Sequence, residues 1–334
     1  MTESIPVIDL SPYLDGSASG KQQVARAVDR ACRDLGFLTV TGHGVPKALI
    51  EAVYADAKAF FDLPLARKAA IRQPSPDAAR GYSGVGEEGL SYSLDAATPG
   101  DLKESLTIGQ LEVPAGDPYY THPDAGSFFA PNLWPSAPAG LEASWSAYFR
   151  AMEALSASLM RIFALALDLP ETFFDATIDR HISNFRAINY PDQPDTPLTG
   201  QLRAGAHSDY GSLTIVRQEA APGGLQVQAE SGAWIDVPPV ADAFVVNIGD
   251  LMMQWTNDRW RSTMHRVVNP PRAHALGSRR ISLVFFHQPN YDALVSCLPS
   301  CQEPGNPARY APITSGRHFI GKFLKQSTMG VAAA

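Results

Sequence analysis

The stretch Arg203-Ala-Gly-Ala-His-Ser-Asp-Tyr-Gly-Ser-Leu-Thr-Ile-Val216 decides the fold of this chain. Its second half is apolar and β-branched, which predicts a strand. Residues i and i+2 of an extended chain point to the same face, so His207 and Asp209 present an imidazole beside a carboxylate. The same alternation places Leu213 and Ile215 on the face of Asp209. The stretch therefore predicts two ligands of a metal site, with apolar side chains that shield it from water.

His265, in the strand-like run Ser262-Thr-Met-His-Arg-Val-Val268, is the candidate for a third ligand. It lies too far from Asp209 for a local motif, but a neighbouring strand of an antiparallel sheet would bring it close. Two histidines and one carboxylate occupy one face of an octahedron and leave three positions open, as in non-haem Fe(II) oxygenases. Taken singly, His-x-Asp is more often a surface pair and His265 a hydrogen-bonded core residue. The joint pattern favours the metal site.

A further run, Ser278-Arg-Arg-Ile-Ser-Leu-Val-Phe-Phe-His287, predicts a strand in which Arg280 and Ser282 share one face. Val284 and Phe286 share that face by the same alternation. A guanidinium that faces inward is costly without an anion, and it pairs both oxygens of a carboxylate. The neighbouring Arg279 competes for this role, but only Arg280 keeps the alternation with Ser282.

These features, in the order His-x-Asp, distal His and Arg-x-Ser, resemble the 2-oxoglutarate and Fe(II)-dependent dioxygenase superfamily, specifically its isopenicillin N synthase-like branch. The resemblance covers nearly the whole chain and includes the turn Gly42-His-Gly-Val-Pro46. One departure is the loop Arg272-Ala-His-Ala-Leu-Gly277, which lengthens the interval between His265 and Arg280. Because the insertion lies between strands, we expect it to leave the direction of both side chains unchanged.

The resemblance implies a mainly β fold with flanking α-helices. Its core would be a distorted double-stranded β-helix, or jelly roll, with the N-terminal and central helices packed outside. It implies Fe(II) on His207, Asp209 and His265, with 2-oxoglutarate on two further positions of the metal. Arg280 and Ser282 match the pair that holds the distal carboxylate of 2-oxoglutarate.

Tyr190, in Ile188-Asn-Tyr-Pro191, matches an aromatic position that often contacts the same carboxylate, although a core tyrosine fits the pattern equally well. Arg186 has a similar status. The resemblance implies an enzyme that uses O2 to oxidise a small organic molecule by hydroxylation, desaturation or cyclisation, with release of succinate and CO2. Two alternatives stay open: an isopenicillin N synthase-like Fe(II) oxidase that does not use 2-oxoglutarate, and a non-catalytic jelly-roll protein that binds metal.

Composition predicts a single domain over residues 1–334. The resemblance implies an N-terminal dioxygenase region at 1–120 and a Fe(II)/2-oxoglutarate-binding core at 180–290. The chain has 334 residues, 45% hydrophobic and 18% charged, which allows a sizeable core. A formal charge of −7 without a basic cluster argues against nucleic acid as a partner. The oligomeric state stays open, and a monomer is plausible.

Targeting signals and cysteine usage predict a cytoplasmic protein. The first ten residues lack a basic region followed by an apolar core, so no signal peptide is expected. No apolar run reaches the length of a bilayer span, so no membrane partner is expected. Cys32, Cys297 and Cys301 are an odd number of thiols, which suits a reducing compartment better than a disulfide framework.

Periodicity places the remaining elements. Helices are predicted at 20–35, 47–61, 141–167 and 315–325. Strands are predicted at 5–10, 36–41, 185–190, 212–216, 225–227, 234–237, 243–248, 251–254, 264–268, 280–287 and 293–295. The Gly- and Pro-rich segment 74–138 is predicted to wall the substrate pocket, and the tail 329–334 to be frayed.

Two sets of residues complete the sequence-based expectations. The aromatic residues that could line an apolar pocket are Tyr82, Tyr92, Trp255, Trp260 and Phe286, although the pattern favours ordinary core or loop packing for each of them. The histidines predicted not to bind the iron are His43, His274, His287 and His318. For His287 the reason is alternation, because it points to the strand face opposite Arg280.

Overall fold

The computed structural model describes residues 4–75, 77–94 and 98–328, so the predicted tail at 329–334 lies outside it. The α-helices are α1 (Ser11–Leu14), α2 (Ala18–Asp34), α3 (Lys47–Phe61), α4 (Leu65–Ala69), α5 (Pro118–Thr121), α6 (Leu141–Ala166), α7 (Asp175–Ile178), α8 (Asp250–Trp255) and α9 (Ser315–Thr328). The strands are β1 (Val7–Asp9), β2 (Phe37–Thr41), β3 (Gly81–Ser83), β4 (Glu104–Ile108), β5 (Asn184–Tyr190), β6 (Ala204–His207), β7 (Leu213–Gln218), β8 (Leu225–Gln228), β9 (Trp234–Asp236), β10 (Phe244–Ile248), β11 (His265–Val267), β12 (Arg280–His287), β13 (Leu294–Val295) and β14 (Ile313–Thr314).

The main sheet contains eight of these strands, in the order β1-β2-β10-β7-β12-β5-β4-β3. Strand β12 pairs antiparallel with β5 on one side and β7 on the other, so that Val284 lies opposite both Arg186 and Val216. Directly opposed residues point to the same face, and successive residues alternate between faces. The main sheet therefore has two faces of different composition.

One face of the main sheet packs on the long helices. Trp145 of α6 contacts Phe185 of β5 edge to face, with ring centroids 4.9 Å apart, and Phe149 contacts Phe285 of β12 at 5.3 Å. Trp145 and Phe149 are one helical turn apart, so they lie on the same side of α6. This contact forms the main hydrophobic core, to which α2 and α3 also contribute.

The other face of the main sheet looks towards a smaller sheet of four strands, in the order β6-β11-β8-β9. Side chains from both sheets line a shared cavity. This arrangement, two sheets of mostly antiparallel strands with helices outside, agrees with the predicted jelly-roll core and flanking helices. The division of the chain into an N-terminal region and a core stays a prediction.

The prediction of a strand at 251–254 is wrong, because these residues belong to helix α8. Gly249 is extended and precedes the helix, and Asp250 occupies its first turn, where a carboxylate is favoured by the helix dipole. Leu251, Met252 and Trp255 are all buried. A short apolar run does not distinguish a buried helix from a strand.

No helix in the described ranges is both long and apolar enough to cross a lipid bilayer.

Candidate active site

His207 and His265 lie opposite each other in the smaller sheet. His207 ends β6, His265 begins β11, and the two are directly paired in the antiparallel register. Opposed residues share a face, and the two ring centroids are 4.2 Å apart. His207 Nδ1 lies 2.7 Å from the carbonyl oxygen of Gly205, and His265 Nδ1 lies 3.1 Å from that of Thr263. Because each carbonyl accepts a hydrogen bond from Nδ1–H, each Nε2 presents a lone pair.

Asp209 lies beyond the end of β6, in the turn that leads to the main sheet. Its Oδ1 is 3.8 Å from His207 Nε2 and 3.7 Å from His265 Nε2. Its Oδ2 accepts a hydrogen bond of 2.7 Å from Asn247 Nδ2 on β10. Its backbone carbonyl accepts one of 2.8 Å from the Asp250 N–H at the start of α8. The carboxylate is therefore held by both sheets and a helix.

The protonation states of this cluster suit a metal. Burial lowers the pKa of His207, and the proximity of His265 lowers it further, so the ring is neutral at neutral pH. Burial raises the pKa of the Asp209 carboxyl, but the neighbouring histidines and hydrogen bonds from Asn247 and Thr214 outweigh it, so the net pKa is lowered. Neutral imidazoles and an ionised carboxylate are the states that bind a cation.

Among the described residues, His207, Asp209 and His265 form the one group of three or more histidine, cysteine, aspartate or glutamate side chains arranged for a metal ion. Their ligand atoms lie within 4.8 Å of one another, and all three residues are buried. Two nitrogens and one oxygen on one side of a cavity fit Fe(II) with open positions. The histidines predicted not to bind the iron, His43, His274, His287 and His318, lie outside this group.

Arg280 projects from β12 into the same cavity and is only 2% exposed. Its Nη2 donates to Gln218 Oε1 at 2.9 Å and to Ser282 Oγ at 3.4 Å, and its Nε has no partner among the described residues. The guanidinium carbon lies 5.7 Å from the ring centroid of Tyr190. Burial lowers the pKa of Arg280. No carboxylate of the described chain forms an ion pair with this cation, which leaves it suited to an anionic ligand.

The comparison with known proteins decides the family. Residues 5–137 match the N-terminal region of non-haem dioxygenases described for morphine synthesis, and residues 181–289 match the 2OG-Fe(II) oxygenase superfamily. A 2-oxoglutarate-Fe(II) type oxidoreductase of Emericella nidulans, hxnY, is 37% identical over 316 residues, covering 92% of this chain and 86% of the relative. The chain belongs to the 2-oxoglutarate-Fe(II) oxygenase superfamily.

Two further relatives of this oxygenase agree. A homoarginine-6-hydroxylase of Oryza sativa is 34% identical and covers 98% of each chain. The solved structure of a full-length Neurospora crassa protein in complex with alpha-KG, which is 2-oxoglutarate, matches with a TM-score of 0.83 and 30% identity, covering 96% of this chain and 95% of that one. The oxygenase is therefore a dioxygenase of the isopenicillin N synthase-like branch, with Fe(II) and 2-oxoglutarate as cofactors.

The cavity of the oxygenase shows that two predicted side-chain directions are wrong. Leu213 and Ile215 do not face it; they pack in the main core, whereas Thr214 and Val216 line the cavity. The alternation fails across Gly211 because residues 208–212 form a turn rather than an extended strand. In contrast, β12 is continuous, so its alternation holds and Ser282, Val284 and Phe286 line the cavity with Arg280.

The five candidate aromatic residues divide between the cavity and ordinary packing, the interpretation that the sequence favours for each of them. Phe286 lines the cavity, but Trp255, Trp260 and Tyr82 lie in the main core. Tyr92 is buried, and its hydroxyl donates to the Thr98 carbonyl. Of the described residues in the segment 74–138, three contribute to the wall: Ala79, Leu90 and Lys103. Helix α9 supplies Phe319 and Phe323, which no sequence signal assigned to the site.

A buried ion network borders the cavity. Lys103 Nζ lies 2.7 Å from Asp101 Oδ2 and 3.5 Å from Glu88 Oε2, and Arg186 Nη1 donates to Glu88 Oε2 at 3.0 Å. Arg186 Nε donates to Thr107 Oγ1 at 2.9 Å. Both cations line the cavity, and both carboxylates lie behind them. Sequence reasoning missed this network, although an Asp-x-Lys pair beside a strand is an unusual sequence for a buried position.

Proposed function

We propose that His207, Asp209 and His265 hold the Fe(II), and that Arg280, Ser282 and Tyr190 hold 2-oxoglutarate, in an enzyme that hydroxylates a small organic molecule. The observation that carries this assignment is the buried guanidinium of Arg280. It shares one cavity with the triad and has no carboxylate partner among the described residues. Burying an unpaired cation is costly, so its retention is best explained by an anionic ligand.

Bound Fe(II) and 2-oxoglutarate supply the oxidising power that places one oxygen atom of O2 in a C–H bond, with release of succinate and CO2. The chain's own residues orient the metal ligands and protect the site from water. Hydrogen bonds to Gly205 and Thr263 fix both imidazole rings, so that each Nε2 faces the metal position. Asn247 fixes the second oxygen of Asp209, which leaves Oδ1 for the metal.

The side chains between the triad and Arg280 exclude water. Ile188, Val216 and Val284 line this part of the cavity and are apolar. A dry wall protects a reactive oxidant from solvent and strengthens the charge interaction of Arg280 with a carboxylate. None of these residues titrates. The proposed reaction needs no general base from the chain, because bound Fe(II) and 2-oxoglutarate supply the oxidising power. Desaturation or ring closure at the same site would require only a different substrate position.

The alternatives are less well supported. An oxidase that does not use 2-oxoglutarate would need another anion for Arg280, whereas the named relatives and the Neurospora crassa complex carry 2-oxoglutarate in their names or contents. A non-catalytic metal-binding protein would have no need for an anion site beside its metal. Three free cysteines, Cys32, Cys297 and Cys301, support a cytoplasmic location.

The test is Arg280→Gln, assayed by succinate release and by 2-oxoglutarate titration in the absence of O2. Truncating one partner of a buried charge pair typically costs about 2 to 5 kcal/mol, so the dissociation constant for 2-oxoglutarate should rise at least about 30-fold. Arg279→Gln is the matched control, because Arg279 donates to Asn189 and Asp62 outside the cavity. If Arg280→Gln leaves 2-oxoglutarate binding unchanged, the assignment is wrong.

A further inference from the structure

A second polar locus lies on the same sheet face as the proposed 2-oxoglutarate site. Arg186 is opposite Val284, four residues along β12 from Arg280, which is roughly 13 Å along the strand. Unlike Arg280, Arg186 is already paired with a carboxylate, that of Glu88. Its engaged nitrogens are Nε and Nη1. Arg186 is therefore not a second anion clamp, although it still faces the cavity as a donor.

Gln288 faces the same cavity with an unused acceptor. It is 2% exposed, and its Oε1 has no hydrogen-bond partner among the described residues. Its amide lies against Gly211, where an added Cβ would be 2.8 Å from both Cδ and Nε2. A buried acceptor without a donor destabilises the folded protein. We therefore expect a bound ligand to donate a hydrogen bond to Gln288 Oε1.

The charges of the groups around the cavity limit the charge that this ligand can carry. The two positive charges of Lys103 and Arg186 are matched by the carboxylates of Asp101 and Glu88. At the proposed cofactor site, the charges of Fe(II) and Arg280 are matched by Asp209 and the dianion of 2-oxoglutarate. Among the described residues that line the cavity, no uncompensated charge is left for the substrate to neutralise. Burying a net anion or cation there would carry a desolvation penalty without a partner.

An α-amino acid is disfavoured for a related reason. Its ammonium group needs several acceptors when it is buried, and Asp209 is the one carboxylate among the described residues that line the cavity. Gln288 Oε1 alone satisfies one proton of an ammonium group. It satisfies completely a single N–H of an uncharged amide. The polar end of the cavity thus matches one acceptor and one donor on a neutral molecule.

We propose that the primary substrate is an uncharged small molecule with an amide, lactam, imide or ureide group. This inference rests on the proposed function. The substrate carbonyl accepts from Arg186 Nη2, and its N–H donates to Gln288 Oε1. Gln288 lies four residues beyond Val284, roughly 13 Å along the chain, and both Arg186 and Gln288 line the cavity, so we expect their two side chains and one small ring to span this distance.

The test uses the whole protein loaded with Fe(II) and 2-oxoglutarate without O2, titrated calorimetrically with matched pairs. The pairs are benzamide with benzoate, 2-pyrrolidone with proline, and uracil with orotate. The uncharged member should bind at least about tenfold more tightly, a difference of about 1.4 kcal/mol. Tighter binding of the charged members, or binding of none of the six compounds, overturns the proposal.

Gln288→Met tests the acceptor. Because Oε1 makes no hydrogen bond to any described residue, this substitution should leave the Tm unchanged or raise it, and should abolish the preference for the uncharged compounds. Gln228→Met, on β8 with its Nε2 donating to the Gly232 carbonyl, is the control and should keep the preference. A preference that survives Gln288→Met overturns the proposal.

Titration of 2-oxoglutarate separates the two levels of inference. If the wild type binds 2-oxoglutarate but prefers charged compounds, the substrate class alone is wrong. If it does not bind 2-oxoglutarate, the proposed function fails, and the substrate class falls with it.

Discussion

Gln218→Glu should disable the proposed 2-oxoglutarate clamp without removing a single atom from Arg280. Gln218 Oε1 accepts from Arg280 Nη2 at 2.9 Å, and Gln218 Nε2 donates to the Val237 carbonyl at 2.9 Å. The substitution is nearly isosteric and places a carboxylate directly on the guanidinium. The cation would then be paired inside the protein before 2-oxoglutarate arrives.

The magnitude follows from the distance and the burial. Unit charges 2.9 Å apart attract by about 6 kcal/mol at an effective dielectric constant of about 20. Desolvation of the new carboxylate, and its repulsion from the Val237 carbonyl, offset part of this attraction. A net loss of about 2 kcal/mol in 2-oxoglutarate binding corresponds to a dissociation constant about 30-fold higher.

The assay is calorimetric titration of the Fe(II)-loaded protein with 2-oxoglutarate in the absence of O2, with the Tm as a check on folding. Gln226→Glu is the matched control, because Gln226 Oε1 also accepts from an arginine, Arg266 Nε, at 2.9 Å, but on the outside of the smaller sheet. A folded Gln218→Glu variant whose affinity for 2-oxoglutarate changes by less than about threefold would refute the clamp.

Two further predictions concern the triad and the buried histidines. Loss of any triad residue should remove stoichiometric Fe(II) and leave the circular dichroism spectrum unchanged; the variants are His207→Ala, Asp209→Ala and His265→Ala. The control variants His43→Ala and His274→Ala should retain the iron. Metal analysis that finds full iron content in folded His265→Ala would contradict the assignment. The unfolding free energy of the metal-free protein should fall as the pH drops below 6.5, because burial, and then His181, lowers the pKa of His287 far below that value, and burial lowers the pKa of His207. The unfolded chain then binds protons that the folded chain does not, so stability is present above pH 6.5 and is lost below it, by about 2 kcal/mol per group at pH 5; equal urea midpoints at pH 7 and pH 5 would contradict this.

The sequence predicted the parts of the site that lie on continuous strands. Strand β12 runs unbroken from Arg280 to His287, so simple alternation placed Ser282, Val284 and Phe286 in the cavity. The joint His-x-Asp and distal histidine pattern predicted a cluster whose ligand atoms the fold brings within 4.8 Å. Local periodicity sufficed for the residues of β12 and for His207 and His265, because each of them lies on a strand. Asp209 lies beyond the end of β6, where Asn247 holds its carboxylate.

Alternation failed where the chain turned. Leu213 and Ile215 were assigned to the wrong face because the turn at Gly211 resets the phase between Asp209 and β7. The supporting residues were missed for a different reason. Gln218 and Asn247 interrupt apolar strands with a polar residue, which is a signal that a buried partner exists, but their partners are distant in the chain. The three-dimensional structure identifies these partners as Arg280 on β12 and Asp209 beyond the end of β6.

The position of β2 in the main sheet governs how the chain reaches its final structure. Phe37 and Val40 of β2 pair with residues of β10 that are about 200 positions later in the chain. Strand β10 carries Asn247, which anchors Asp209. Strand β2 has β1 on one side, but during synthesis its other edge stays unpaired until β10 emerges, and such edges tend to aggregate. A fragment that begins at the 2OG-Fe(II) oxygenase match, residue 181, would expose the open side of β10 next to its own metal site.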